Sequence, residues 1–225
     1  MRRRTYAIGD IHGRLDLFAA ALGAIADHDL GARQRVVLLG DYVDRGPETA
    51  SLIERLIDLE GPNFICLKGN HEAMMVDALR GSDQRGREIW LDNGGEETLQ
   101  SYGGRYSVPD AHLDWMDALP LWFSDEHRDY VHAGVEPGLP MEEQDPATLL
   151  WIRDRFLLAG PEALSRHVVH GHTPRWRGKP DMAIPERLPH RTNLDTGAWT
   201  TGVLSVGVFD TDQPGGPLEV LAIRV

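Results

Sequence analysis

The sequence predicts an α/β fold, two packed β-sheets forming a central sandwich with α-helices outside. Two observations carry that expectation. Through about residue 70, short apolar runs alternate with amphipathic stretches of helical length, the signature of parallel strands joined by right-handed crossovers. Beyond Leu121 the pattern turns to short strands, and the last two flank the turn-rich Asp210–Pro217, which suits an antiparallel hairpin. The 225 residues with 41% hydrophobic content can bury one sizeable core, so a single domain over residues 1–225 is the economical organisation.

In order, Thr5–Ile8 reads as a strand, Leu15–Asp27 as an amphipathic helix and Val36–Leu39 as a fully apolar strand. A helix over about Glu48–Leu59, the strand Phe64–Leu67 and a helix beginning near His71 follow. Residues 81–117 form a helical insert, with helical patches around Glu88–Leu91, Glu96–Tyr102 and Ala111–Leu119 separated by glycine-rich segments, and make one wall of a cleft. The strands Leu121–Phe123, Asp129–His132, Val168–Val169, Thr192–Leu194, Val203–Phe209 and Leu218–Ile223 complete the chain.

Charge and composition remove several classes of function. A formal net charge of −12, from 35 acidic and 23 basic side chains, repels a phosphodiester backbone and excludes general nucleic-acid binding. The single cysteine, Cys66, lies in the apolar run Phe64–Leu67 and reads as a core thiol, with no disulfide to make. No run approaches the roughly 18 apolar residues of a membrane span, and Asp10 and His12 interrupt the N-terminus before signal-peptide length. A soluble, cytoplasmic protein without a membrane partner is expected. Arg2, Arg3 and Arg4 read as the solvated start of the first strand.

The chemistry sits in five islands: Gly9-Asp10-Ile11-His12-Gly13, Gly40-Asp41-Tyr42-Val43-Asp44-Arg45-Gly46, Gly69-Asn70-His71-Glu72, His132-Ala133-Gly134 and Gly171-His172-Thr173-Pro174. The first three follow predicted parallel strands directly, and ligands of such sheets bind beyond the carboxyl ends of the strands. Asp10 and His12, two residues apart, point to one side of an extended strand end. Asp41 can bridge two metals with its two oxygens, Asn70 offers a neutral amide oxygen, and His132 and His172 add imidazoles. One site is therefore Asp10, His12 and Asp41, and the second is Asp41, Asn70, His132 and His172. Oxygen and nitrogen ligands without thiolate suit Mn²⁺, with Fe or Zn²⁺ as other choices. Two such ions roughly 3.5–4 Å apart activate a bridging hydroxide for direct attack on phosphorus. His71 then serves as general acid, Asp44 holds its imidazole charged, and Arg45 presents a planar fork to phosphate oxygens.

The five islands, in this order, resemble the phosphoprotein phosphatase family of binuclear metallophosphoesterases in its compact bacterial and bacteriophage form. The family's GDxHG, GDxVDRG, GNHE, HAG and GHTP patterns all stand here without departure at ligand or catalytic positions. The likeness runs from Thr5 to at least Ala198 and includes Met74-Met75, Trp90-Leu91-x-Asn93-Gly94-Gly95, Leu119-Pro120-Leu121, Trp151-x-Arg153 and Leu194–Ala198. It implies the calcineurin-like metallophosphoesterase fold and makes Arg153 a second phosphate-binding arginine, with Asn70 also near the phosphate. It further implies a serine/threonine protein phosphatase acting on phosphorylated proteins or peptides, with phosphotyrosine as a further substrate. The alternative is a dinucleoside polyphosphate hydrolase, of the kind that cleaves diadenosine tetraphosphate, with the same metals. A noncatalytic binding module would have no need of His71, Asp44 and the arginines. Trp90 and Trp151 read as packing residues, Asp195 as a turn residue or a partner of the metal ligands, and Glu72 as a residue that caps or orients the helix after it. His28, His112, His127 and His167 read as surface or packing residues, while His170 and His190 lie nearer the presumed site.

Overall fold

The computed structural model describes residues 3–28, 33–104, 107–175 and 182–225. Its first half follows the predicted alternation: β1 (Arg3–Ile8), α1 (Leu15–His28), β2 (Arg33–Leu38), α2 (Thr49–Leu59), β3 (Phe64–Cys66) and α3 (Asn70–Arg80). β1 pairs β2 and β2 pairs β3, both parallel, with Ile8 opposite Leu38 and Leu38 opposite Cys66. This register ends the three strands level, so the first three islands leave the sheet along one edge. Two antiparallel strands, β9 (Leu204–Asp210) and β10 (Glu219–Ile223), form the predicted hairpin and complete a sheet of order β10-β9-β1-β2-β3.

The second sheet contains β4 (Trp122–Ser124), β5 (Arg128–Val131), β6 (His167–His170), β7 (Glu186–Arg187) and β8 (Arg191–Asn193), in the order β4-β5-β6-β8-β7. Here β5, β6 and β8 run parallel, and His132 and His172 follow β5 and β6. Alternation along the strands assigns the two faces of the first sheet. Ala7, Val37, Leu39 and Leu67 point inward with Tyr130, Val169, Leu194 and Phe209 to make the layer between the sheets. Tyr6, Ile8, Val36 and Leu38 join Phe18, Leu52, Leu56 and Met75 of the helices on the opposite face.

The insert follows the expected layout. It holds α4 (Gln84–Trp90), α5 (Glu96–Ser101) and α6 (Asp110–Ala118), with the Asn93-Gly94-Gly95 segment between α4 and α5. The chain kinks there, because Gly94 takes a non-helical, left-handed backbone at φ 106°. A side chain at Gly94 would meet the Arg45 backbone nitrogen at 2.6 Å, and the Gly94 carbonyl accepts that N–H at 3.1 Å. These glycines bring the insert onto the second island. Two further helices, α7 (Pro146–Trp151) and α8 (Asp154–Leu157), lie outside the expected elements. Of the N-terminal arginines, Arg4 departs from the solvated position expected of it. Arg2 lies outside the described residues, and Arg3 pairs with Asp212 near the surface. Arg4 is buried and pairs with Asp210 at 2.8 Å, because the β1–β9 register sets the two opposite each other.

Candidate metal centre

Among the described residues, the non-glycine positions with left-handed backbone are His12 (φ 46°), Asp41 (54°), Asp44 (72°), Arg45 (69°) and His172 (66°). Every one is a predicted site residue. Such conformations cost free energy and persist where the surroundings hold them, commonly at functional sites. Here Glu72 does the holding for the second island. Its buried carboxylate accepts the backbone N–H groups of Asp41 (2.9 Å), Tyr42 (2.7 Å), Val43 (3.1 Å) and Gly69 (2.9 Å). Burial and the neighbouring Asp41 push its pKa up to about 7, against the pull of those amides. Glu72 is thus more than the helix-orienting residue the sequence suggested. It ties the second and third islands together, and a side chain on Gly69 would strike Asp41 Oδ1 at 2.2 Å.

Two groups of ligand atoms result: His12, Asp41 and His71, and Asp41, His132 and His172, the atoms of each lying within 4.8 Å of one another. Asp41 belongs to both, as a bridge must. Asn70 Oδ1 lies 2.8 Å from His132 Nε2 and 2.9 Å from His172 Nδ1, inside the second group. Asp10 is buried beside these groups, not within either, and its carboxylate accepts the His172 backbone N–H at 3.0 Å. Its orientation does not come from an extended strand end. β1 stops at Ile8 and His12 turns left-handed, so the fifth island holds Asp10 through the His172 N–H, while the second island holds His12, whose backbone N–H and ring donate to the Asp41 and Val43 carbonyls. His71, not needed as a ligand in the sequence reading, sits at ligand distance from His12 and Asp41.

The donor set fits divalent cations. His12 Nδ1–H donates to the Val43 carbonyl at 2.8 Å and His132 Nδ1–H to the Leu39 carbonyl at 2.9 Å. Each ring therefore turns an Nε2 lone pair inward. His132 Nε2 then faces the lone pairs of Asn70 Oδ1 and of Asp41 Oδ1, 3.3 Å away, acceptor against acceptor. Protonation does not relieve this, because burial holds His12 and His132 below the ordinary histidine range and pushes His172 down to about 2. His172 Nε2 is buried with no hydrogen-bond partner. Asp10, buried against Asp195 and Asp41, is driven well above the usual carboxylate range. Cations among these lone pairs and carboxylates would remove each of these penalties.

His71 and Asp44 form a buried pair, with Nδ1–H donating to Asp44 Oδ2 at 2.6 Å. Burial opposes a charge on His71, but Asp41 and Asp44 outweigh it and raise its pKa. The insert completes this pair with two groups that the sequence reading missed. Trp90, read as packing, donates Nε1–H to both Asp44 oxygens at 3.0 and 3.1 Å, and Thr98 Oγ1 donates to Oδ1 at 2.8 Å. The Arg45 guanidinium lies 2.7 Å from His12 Nε2 and 2.9 Å from His71 Nε2. Arg153, beside the second group, donates to Thr173 Oγ1 at 3.1 Å. His170 packs on Phe156 and lies 3.3 Å from Arg191, and neither it nor His190 joins the ligand groups.

Residues 3–196 match the model of the family described as calcineurin-like phosphoesterase. The chain belongs to this family. As a calcineurin-like phosphoesterase it is a hydrolase whose His and Asp residues are positioned for a metal site. It is 28% identical over 220 residues to serine/threonine-protein phosphatase 2 of Salmonella typhimurium, covering 90% of this chain and 91% of that protein. It is 33% identical over 139 residues to the symmetrical bis(5'-nucleosyl)-tetraphosphatase of Nitrosomonas europaea, covering 62% of this chain but 47% of that enzyme. Its fold matches that of a protein named provisionally as a diadenosine tetraphosphatase, with a TM-score of 0.69 at 19% identity, over 99% of this phosphoesterase and 94% of the other chain.

Proposed function

We propose that this phosphoesterase hydrolyses phosphomonoesters of serine and threonine in proteins or peptides, with Mn²⁺ as its metal. One observation carries the preference for that substrate: the likeness to a serine/threonine-protein phosphatase covers 90% of this chain and 91% of that protein. Asp10, His12 and Asp41 would hold one ion, and Asp41, Asn70, His132 and His172 the other. Bound divalent ions supply Lewis-acid charge and an acidified water for in-line attack on phosphorus. Arg45 and Arg153, with the Asn70 amide, neutralise and orient the phosphoryl oxygens. His71 gives its Nε2 proton to the departing serine or threonine oxygen, while Asp44 keeps the ring oriented through Nδ1.

A second reading, hydrolysis of dinucleoside polyphosphates, is favoured by the 33% identity to the symmetrical tetraphosphatase over the stretch they share. It uses the same residues on a different leaving group. Metal-stripped protein resupplied with Mn²⁺ would be given phosphoserine, phosphothreonine and phosphotyrosine peptides and diadenosine tetraphosphate, with products separated by chromatography. Peptide turnover far above nucleotide turnover is expected. The reverse order would discard the protein substrate in favour of the nucleotide one.

A further inference from the structure

Trp199 was not singled out by any motif, and its position is unusual for a tryptophan. It sits on α9 (Ala198–Thr201), a four-residue helix between two glycines of left-handed backbone, Gly197 and Gly202. The helix is pinned from several sides. Ala198 is fully buried and its carbonyl accepts from Arg14 Nη1 at 3.2 Å, while Thr201 Oγ1 donates to the Thr196 carbonyl at 2.8 Å. A small apolar residue would close such a turn at less cost. The indole instead remains 39% exposed, and a cation lies over its face: the Arg45 guanidinium carbon is 5.5 Å from the ring centroid.

We infer that Trp199 is a positioning residue for Arg45, its indole bracing the guanidinium that binds the substrate's phosphoryl oxygens. This rests on the phosphate-binding role proposed above for Arg45. The arginine needs such a brace. Its backbone is left-handed at φ 69°, anchored by its N–H to the Gly94 carbonyl. Beyond that, among the described residues its side-chain hydrogen bonds go to the His12 and His71 ring nitrogens. No carboxylate pairs with it at ion-pair distance among the described residues, so no acid competes with a phosphate for the fork, and none fixes it. An aromatic face restrains the guanidinium plane without taking any N–H donor, so the donors not directed at His12 and His71 are left for an anion.

The test is inorganic orthophosphate binding to Mn²⁺-loaded protein by calorimetry, with KM and kcat on 4-nitrophenyl phosphate and metal content measured in parallel. Trp199→Leu should weaken orthophosphate binding and raise KM about two- to five-fold, the usual worth of an exposed cation–π contact. Metal content should stay unchanged. Trp199→Phe should restore most of the loss, because a ring is required and not merely apolar bulk. Arg45→Ala should weaken orthophosphate binding more, and adding Trp199→Leu to it should then cost nothing further. If Trp199→Leu binds orthophosphate like wild type while Arg45→Ala does not, the bracing role is wrong and the reading of Arg45 survives. Equal losses in the Leu and Phe variants mean packing alone and also overturn it. Unchanged binding in Arg45→Ala would remove the reading of Arg45 and the inference with it. Urea midpoints of each variant separate these outcomes from misfolding, and Trp199→Tyr replaces the Leu–Phe comparison if the leucine variant is unstable.

Discussion

Trp90→Phe isolates the indole N–H that reaches into the acid pair. The substitution keeps an aromatic ring at a fully buried position and removes one donor from Asp44. Asp44 would retain His71 at 2.6 Å and Thr98 at 2.8 Å. A hydrogen bond to a charged group contributes about 1.5–3 kcal/mol, and part of that would go to repacking around the smaller ring. Some 1–1.5 kcal/mol lost from the orientation of His71 corresponds to about a 5- to 12-fold fall in kcat. The fall should depend on the leaving group. A serine alkoxide needs the proton of His71, whereas 4-nitrophenolate leaves with little help. The assay is therefore kcat for a phosphoserine peptide and for 4-nitrophenyl phosphate, in wild type, Trp90→Phe and His71→Asn, with metal content measured alongside. The peptide rate should fall well beyond the nitrophenyl rate in both variants. His71→Asn should be the more severe, by about 10²–10⁴-fold on the peptide, the usual contribution of general acid catalysis. Equal falls on both substrates in Trp90→Phe would refute the argument that the indole acts through Asp44 and His71.

Other consequences follow from the same geometry. Glu72→Gln replaces a carboxylate that accepts four backbone N–H groups with an amide whose NH₂ opposes them, so a loss of about 3–5 kcal/mol is expected in urea unfolding, with metals bound more weakly. Unchanged stability would show that the second island does not depend on Glu72. Asp41→Asn should weaken both metal sites together. Retention of two tightly bound ions in elemental analysis would reject the bridging role. His167, outside the centre, is buried with its ring on the Pro189 carbonyl and Thr192, and burial pushes its pKa down to about 4 from 6.5. Below pH 6.5 the unfolded chain takes up a proton that the folded protein refuses, so stability falls by about 2–3 kcal/mol between roughly pH 6.5 and 4 and levels off below. His167→Gln should lose correspondingly less over that window than wild type. Parallel curves for the two proteins would contradict the assignment.

Much of this protein is legible before it folds. Parallel strands were readable because apolar runs and amphipathic stretches differ in period, and the islands were readable because Asp, Asn and His next to glycine mark strand ends that turn sharply. The left-handed backbone of His12, Asp41 and His172 is the physical counterpart of those glycine-rich islands. Folding decided what no period or motif encodes. Whether His12 and His132 present Nε2 depends on the Val43 and Leu39 carbonyls, which are set by the course of a neighbouring loop and by the packing of one sheet on the other. The reach of Trp90 to Asp44, 46 positions away in the chain, depends on the kink at Gly94 and on the absence of a side chain there, which admits the Arg45 backbone. Ligand type is a property of a residue and can be read along a chain. Tautomer, hydrogen-bond partner and distance belong to pairs brought together by burial, and they exist only once the two sheets and the insert have closed on each other.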